Sequence, residues 1–443
     1  MCRPSLWLGL SPLLFMNQAA AVSRGSPVRV GVIGAGAAGL VSAKVLAEGG
    51  CAVTVFEKDD RLGGTWRYIP GQSVMYSSLR TNLPKEIMAY SPEDPFPPMK
   101  KSFLGHEEVL SYLEQFVVKY RLRDLIRFNT KVVNVDQDLS SDQNTWTITT
   151  RNLIQDSCIE KYEFEYVLIC NGHYNTPYIP AVEELSIFQG RQLHSCDYDN
   201  PLEFENQRVL IVGGKSSGTD LAREIASCAL EVHVSDRNHA TSSERHDNIT
   251  LHGGISCFTS DNQVAFKDGS SACIDTIVWC TGFLYDFPFL YDSRCLKPYA
   301  GPTRQVRGLF RYLFTNEHPT VAFVGLPYSV VPFPIFYLQA MWISSLISGK
   351  AKLPSMEERS KWITEHEEKL TAMGWLETKY HYLGNELQFE YMRFLAREAD
   401  IDEEALMRYI DMLEEIYFDN GKHKPPYVGG PDTYREREYQ YTR

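Results

Sequence analysis

Two short stretches of the chain carry residue types and spacings that could do chemistry. Gly34-Ala35-Gly36-Ala37-Ala38-Gly39 follows the apolar run 28–33. In a strand–turn–helix unit the first glycine of such a motif allows the tight turn. The second lets a diphosphate approach the backbone, the third lets the helix pack on the strand, and the helix N-terminus stabilises the anion. Glu57 ends the next apolar run, 52–56, where an acid hydrogen-bonds ribose hydroxyls. Gly34, Gly36, Gly39 and Glu57 are therefore expected to hold a dinucleotide.

Gly213-Gly214-Lys215-Ser216-Ser217-Gly218 is a second, imperfect turn of the same type. Lys215 stands where the second glycine belongs; its side chain crowds a diphosphate but also brings positive charge. Gly213, Ser216, Ser217 and Gly218 are the expected contacts. The following strand ends in Ser235-Asp236-Arg237. Asp236 favours a free ribose 2′-hydroxyl, hence NADH, whereas Ser235 and Arg237 favour a 2′-phosphate, hence NADPH. The residues alone leave that choice open. Two dinucleotide turns in one chain imply electron transfer between two cofactors, one of which is usually a flavin. A disulfide reductase would need a close cysteine pair after the first unit, and residues 58–100 contain no cysteine.

The elements that must position these turns follow from hydrophobic periodicity. A first βαβ unit spans 28–57, with a helix to about Gly49. A helix over 106–120 follows, then strands at 131–135, 146–150 and 166–170. A second βαβ unit has its strand at 209–212, its helix at 219–228 and its next strand at 231–235. Strands at 274–280 and 321–324 and a helix from Ile335 complete the pattern. The predicted fold is α/β, with two Rossmann-like dinucleotide-binding domains. The nicotinamide domain, 186–318, is inserted in the flavin domain, 28–185 and 319–443.

The formal net charge of −12 excludes a basic nucleic-acid-binding face, and 44% hydrophobic with 23% charged residues suits a soluble globular chain. The most apolar later run, 335–347, contains Gln339, Ser344 and Ser345, so no membrane anchor is expected. His366 and His381 lack metal-ligand spacing, and no metal site is expected. Residues 1–21 read as a secretory signal peptide: Arg3, an apolar run over 6–16, then Ala19-Ala20-Ala21. Secretion is the expectation; a start at Met16 would delete the apolar run and leave the chain cytoplasmic. Of ten cysteines, Cys2 would leave with the leader, and the odd remainder could not all pair internally.

Further motifs resemble those of the flavin-containing monooxygenases. Residues 188–198, Phe-Gln-Gly-Arg-Gln-Leu-His-Ser-Cys-Asp-Tyr, resemble the family's FxGxxxHxxxY fingerprint. Gly63-Gly64-Thr65-Trp66 resembles its GGxW segment beside the flavin, and Thr81-Asn82-Leu83-Pro84-Lys85-Glu86 its TNxPKExM segment. Cys280-Thr281-Gly282-Phe283 resembles a strand end of the family, and Gly325-Leu326-Pro327 with Leu338-Gln339 its C-terminal flavin-contacting segment. The likeness covers about residues 28–347. It implies FAD and NADPH as cofactors, with Gly64, Thr65, Trp66, Asn82, Thr281, Gly282, Gly325 and Gln339 near them. Coenzyme choice then sides with Ser235 and Arg237. The implied reaction is N- or S-oxygenation of tertiary amines, alkaloids or sulfides through a C4a-hydroperoxyflavin. Asn82 is the residue implied to act on that peroxide, and His194 is expected to lock the inter-domain linker. The leader resembles that of the secreted insect members that N-oxygenate plant alkaloids. Tyr198 stands where the Baeyer–Villiger fingerprint ends in tryptophan, which disfavours that chemistry; a secreted flavoprotein without turnover is the non-enzyme alternative. The expected partners are a small-molecule substrate and O₂, with no nucleic acid; a homodimer is left open.

Overall fold

The computed structural model describes residues 26–440 apart from 138–144, 155–157, 238, 240–242, 378 and 402. The leader and Met16 lie outside the described residues. The first unit forms at strand Arg29–Ile33, helix α1 (Ala37–Glu48) and strand Ala52–Phe56. Arg29–Ile33 is paired in parallel with Ala52–Phe56 on one side and Tyr166–Ile169 on the other. It lies in a seven-stranded sheet that Ile126–Arg127 closes at one edge and Val321–Phe323, Phe314–Thr315 and Leu309–Phe310 extend at the other. Val321–Phe323 is a strand of the first sheet, as the sequence pattern predicts, but the chain rejoins that sheet earlier than expected, at Leu309.

Helix α1 is apolar on nearly every side because it is enclosed on nearly every side. Its Leu40, Val41, Ala43 and Leu46 share one core with Ile335, Leu338 and Trp342. Gly31 explains the opposite face of the sheet. A Cβ built on it would lie 2.6 Å from Ile148 Cδ1 and 2.9 Å from Phe164 Cδ2. Those side chains belong to a three-stranded antiparallel sheet, Thr130–Gln137, Trp146–Asn152 and Ile159–Phe164, laid across the strand.

Two helices, α2 (Lys85–Met88) and α3 (His106–Lys119), precede the second unit. That unit builds a six-stranded sheet in which Arg208–Val212 is parallel to Glu231–Ser235 and to Thr276–Trp279. Its helix α4 spans Ser216–Ala226. It starts three residues before the expected Thr219, because Lys215 is already its extended N-cap. The two connections between the units, Thr176–Pro177 and Phe283–Leu284, pair with each other as a short antiparallel ladder. Four helices finish the chain: α5 (Pro332–Ser348), α6 (Met356–Ala372), α7 (Glu386–Glu398) and α8 (Glu403–Lys422). Among the described residues no helix is long and apolar enough to cross a membrane, and no cluster of potential metal ligands occurs.

Candidate functional site

At the first turn the three glycines meet different surroundings. Gly34 has φ +105°, and a Cβ there would sit 2.7 Å from the Cys170 carbonyl oxygen. Gly39 is tighter: its Cβ would fall 1.9 Å from the Gly34 oxygen, the contact of helix with strand. Gly36 is different. Its φ of −82° and ψ of −174° suit any residue, and the nearest atom to a Cβ built there is Gly64 Cα at 3.6 Å. Neither strain nor protein packing requires glycine at 36. Open space at the uncapped N-terminus of a twelve-residue helix, with no acidic residue in its first turn, is what a diphosphate requires.

The other residues expected here surround that space. Glu57 is buried, and its carboxylate accepts the Ala35 N–H at 2.7 Å and the Asp59 N–H at 2.9 Å. Burial pushes its carboxyl up; the two N–H donors pull it back. Gly63 donates its N–H to the Ala35 oxygen at 3.0 Å, and the short 3₁₀ turn Gly64–Trp66 starts from it. Thr65 and Trp66 are half-buried, with Trp66 edge-on to Phe333 at 6.3 Å. Gly325, at φ +85°, donates its N–H to Gln339 Oε1 at 3.0 Å, and Gln339 Nε2 donates to the Tyr391 hydroxyl at 3.0 Å. Gln339 is fully buried with both ends of its amide engaged. It therefore reaches the site through the Gly325 loop it braces.

The second turn repeats the first. Gly213 has φ +113°, and its Cβ would lie 2.4 Å from the Cys280 oxygen; that of Gly218 would lie 1.7 Å from the Gly213 oxygen. Lys215, at φ −87° and ψ −165°, has almost the conformation of Gly36, so the missing glycine costs no backbone strain. Its ammonium lies 5.8 Å from the centroid of the Tyr382 ring. Ser216 and Ser217 are exposed on the first turn of α4.

The three residues weighed for the coenzyme ribose separate clearly. The Ser235 hydroxyl is buried and donates to the Gly253 oxygen at 2.9 Å. Asp236 faces the turn, its Oδ2 2.7 Å from the Cβ position of Gly214. Arg237 is exposed beside Gly254.

Asn82 joins the segment before α2 to the second turn, and its neighbour Leu83 shares the core of Ala35 and Ala37. Asn82 Nδ2 donates to Ser216 Oγ at 3.3 Å, and the Asn82 carbonyl accepts from Asn420 Nδ2 at 3.1 Å. Thr281 donates its hydroxyl to the Tyr178 oxygen, and Gly282 offers its carbonyl to His194 Nε2 at 3.0 Å. His194 Nδ1 accepts the Cys196 N–H at 3.3 Å. Burial pulls its pKa down, and a neutral ring with a proton on Nε2 satisfies both bonds. Tyr198 is buried, donating to Glu224 Oε2 at 2.8 Å and packed on Tyr76 and Phe204. Sequence reasoning missed Tyr382, Tyr391, Asn420 and Arg435. They come from the C-terminal quarter of the chain and carry no motif.

Comparison with known proteins agrees with this geometry. The flavin-binding monooxygenase-like family matches residues 27–248 and 246–401. The flavin-containing monooxygenase FMO GS-OX-like 4 of Arabidopsis thaliana is 35% identical, over 93% of this chain and 95% of its own. FMO GS-OX5 of the same plant is 33% identical over 90% and 91%. The structure of S-allyl-L-cysteine S-oxygenase from Allium sativum superposes with a TM-score of 0.81 at 32% identity, covering 93% and 95%. The chain belongs to the flavin-binding monooxygenase-like family. It is a flavin-dependent monooxygenase, with FAD and NADPH as its cofactors.

Proposed function

We propose that this chain transfers one atom of O₂ to a soft nucleophile, a thioether sulfur before an amine nitrogen, with FAD at the first turn and NADPH at the second. The observation that carries this reading is the contact of Asn82 with Ser216 of the second turn, while the next residue, Leu83, lies in the same core as Ala35 and Ala37 of the first. When bound, reduced flavin supplies activation of O₂, and the overall change is NADPH, a proton, O₂ and sulfide giving NADP⁺, water and sulfoxide. The space at Gly36 and the N–H groups of α1 receive the FAD diphosphate. Gly34 and Gly39 shape that turn, and Glu57 holds the ribose. Gly64, Thr65 and Trp66 close it, Thr281 and Gly282 line the strand end opposite, and Gln339 sets the Gly325 loop. Gly213, Ser216, Ser217 and Gly218 receive the NADPH diphosphate. Arg237 meets the 2′-phosphate, and Ser235 shapes the Gly253 loop beside it. Asn82 presents a neutral amide between the cofactors, which offers a hydrogen bond without delivering a strongly acidic proton. The inserted nicotinamide unit, expected over 186–318, is read as ending before Leu309, because Leu309–Phe310 and Phe314–Thr315 already belong to the first sheet.

Sulfur is placed first because of S-allyl-L-cysteine S-oxygenase. The insect-type alkaloid N-oxygenation expected from the leader is the second candidate. Secretion through residues 1–21 is the reading for location. The cytoplasmic alternative has its own support: all nine described cysteines are free thiols, which suits a reducing compartment. Mass spectrometry of the native N-terminus decides between them.

A product screen over S-alkyl cysteines, simple thioethers, tertiary amines, alkaloids and cyclic ketones tests the activity. Sulfoxides formed in step with NADPH consumption are expected. Lactones from the ketones would instead mean Baeyer–Villiger chemistry. A flavin-loaded protein that oxidises no NADPH with any of them would overturn the proposal.

A further inference from the structure

The last described stretch of the chain forms a strap across both units. Tyr427 stacks on His246 with ring centroids 3.8 Å apart, and Val428 Cγ2 lies 3.1 Å from the Cβ position of Gly214 in the second turn. Asp432 pairs with Arg223 of α4 at 2.7 Å. Beyond it the strap changes sides. Tyr434 packs edge-on against Phe103 at 5.4 Å, and the Tyr439 N–H donates to Ser102 Oγ at 2.7 Å.

Arg435 sits at the change-over and touches both sides. Its side chain is only 5% exposed. Nη2 donates to Asp220 Oδ2 at 2.8 Å and Nη1 to Asp220 Oδ1 at 3.1 Å, a two-pronged pair with helix α4. Nη1 also reaches both Asp432 oxygens, at 3.1 and 3.2 Å. Nε donates to the Thr81 carbonyl at 2.9 Å, one peptide before Asn82. The Arg435 carbonyl in turn accepts from Arg80 Nη2 at 2.9 Å. Asp220 follows Ser216 by about one turn of a rigid helix. One planar guanidinium therefore fixes where Ser216 stands relative to Asn82. An arginine fork suits this role, because its donors are pre-set in one plane and a lysine offers a single point charge.

We propose that Arg435 is a positioning residue. By locking α4 to Thr81–Asn82, it holds the second glycine turn, and the nicotinamide coenzyme with it, against the flavin site. This rests on the assignment of FAD and NADPH to the two turns. Its consequence is retention: with the lock loosened, the coenzyme is held less firmly and the oxygen atom is lost as hydrogen peroxide before substrate takes it. The flavin turn is not part of the lock, so flavin content stays unchanged.

The test compares Arg435→Ala, Arg435→Lys and Asp220→Asn with wild type. Arg437→Ala serves as control; that side chain is on the same strap and pairs with Asp419. Measured are bound flavin, thermal unfolding, KM for NADPH, kcat for NADPH oxidation, and the ratio of peroxide to oxygenated product. Arg435→Ala is expected to keep its flavin, raise KM for NADPH by about fivefold or more, and shift the ratio towards peroxide, while kcat for NADPH oxidation persists. Arg435→Lys restores part of the effect, and the control behaves as wild type. Should Arg435→Ala not be recovered folded, Asp220→Asn, which keeps the shape and removes the charge, carries the same expectation. KM and peroxide fraction within about twofold of wild type in the folded variant overturn the inference and leave the monooxygenase intact. A wild type that oxidises no NADPH overturns the underlying assignment instead.

Discussion

Gly36 and Gly39 belong to one motif, yet the structure predicts opposite failures for them. A Cβ at Gly36 meets no protein atom closer than 3.6 Å, and the backbone there is extended, which valine favours. Gly36→Val should fold with near-normal stability and emerge colourless, because the branched side chain occupies the diphosphate path. Gly39→Ala drives a methyl to 1.9 Å from the Gly34 oxygen and should cost about 3 kcal/mol or more in folding. Absorbance at the flavin band and a thermal melt separate the two; a yellow Gly36→Val protein would move FAD elsewhere. Asn82 makes its prediction at the same scale. Asn82→Asp replaces the amide donor to Ser216 by a carboxylate that cannot donate when ionised and repels negative charge. Flavin binding and reduction by NADPH should survive, while most reducing equivalents appear as hydrogen peroxide. Unchanged coupling between NADPH and product would reduce Asn82 to a structural bridge.

Helix α4 and the strand end Ser235-Asp236-Arg237 decide coenzyme choice as elements. Asp236 faces the turn, as Glu57 does in the first unit, while the exposed Arg237 remains available to a phosphate. Arg237→Ala should raise KM for NADPH about tenfold or more, the loss of one charge-assisted contact, and leave NADH nearly unaffected. A wild type preferring NADH would show that Asp236 governs instead. Lys215 belongs to the same element. Because its backbone matches that of Gly36, Lys215→Gly should leave folding intact and weaken NADPH binding through the lost charge.

Across the whole molecule, buried histidines set the acid limit. His381 is 1% exposed, and its Nε2 accepts the Val306 N–H at 2.9 Å, which only a neutral ring can do. Burial pushes its pKa down to about 3. His252 lies between His233 at 2.9 Å and Ser270 at 2.8 Å, and burial with the neighbouring His233 pushes it to about 4. Both stand below the ordinary value of about 6.5, so the folded state favours the neutral ring. Their stabilising contribution is complete above pH of about 6.5 and is lost as pH falls towards about 4. Thermal midpoints should therefore drop between those values, before most carboxylates protonate. His381→Leu should flatten that slope, at some cost in stability at neutral pH. A midpoint unchanged from pH of about 6.5 to about 4.5 would mean these rings are protonated in the fold.

The sequence by itself determined the two βαβ units, because turn glycines and apolar strands are local requirements of backbone geometry and burial. Gly34, Gly39, Gly213 and Gly218 could be read as turn and packing residues without coordinates. The order of the runs also foretold Val321–Phe323 as a strand of the first sheet, but not the two short strands from Leu309 that bring the chain back to it. Tertiary structure alone decided what each polar group faces. It turned Asp236 towards Gly214, committed the Ser235 hydroxyl to Gly253 and set Asn82 against Ser216. It also closed the site with Arg435 from the chain's far end. Such contacts join residues hundreds of positions apart and depend on how elements pack, so no periodicity or spacing within a short window encodes them.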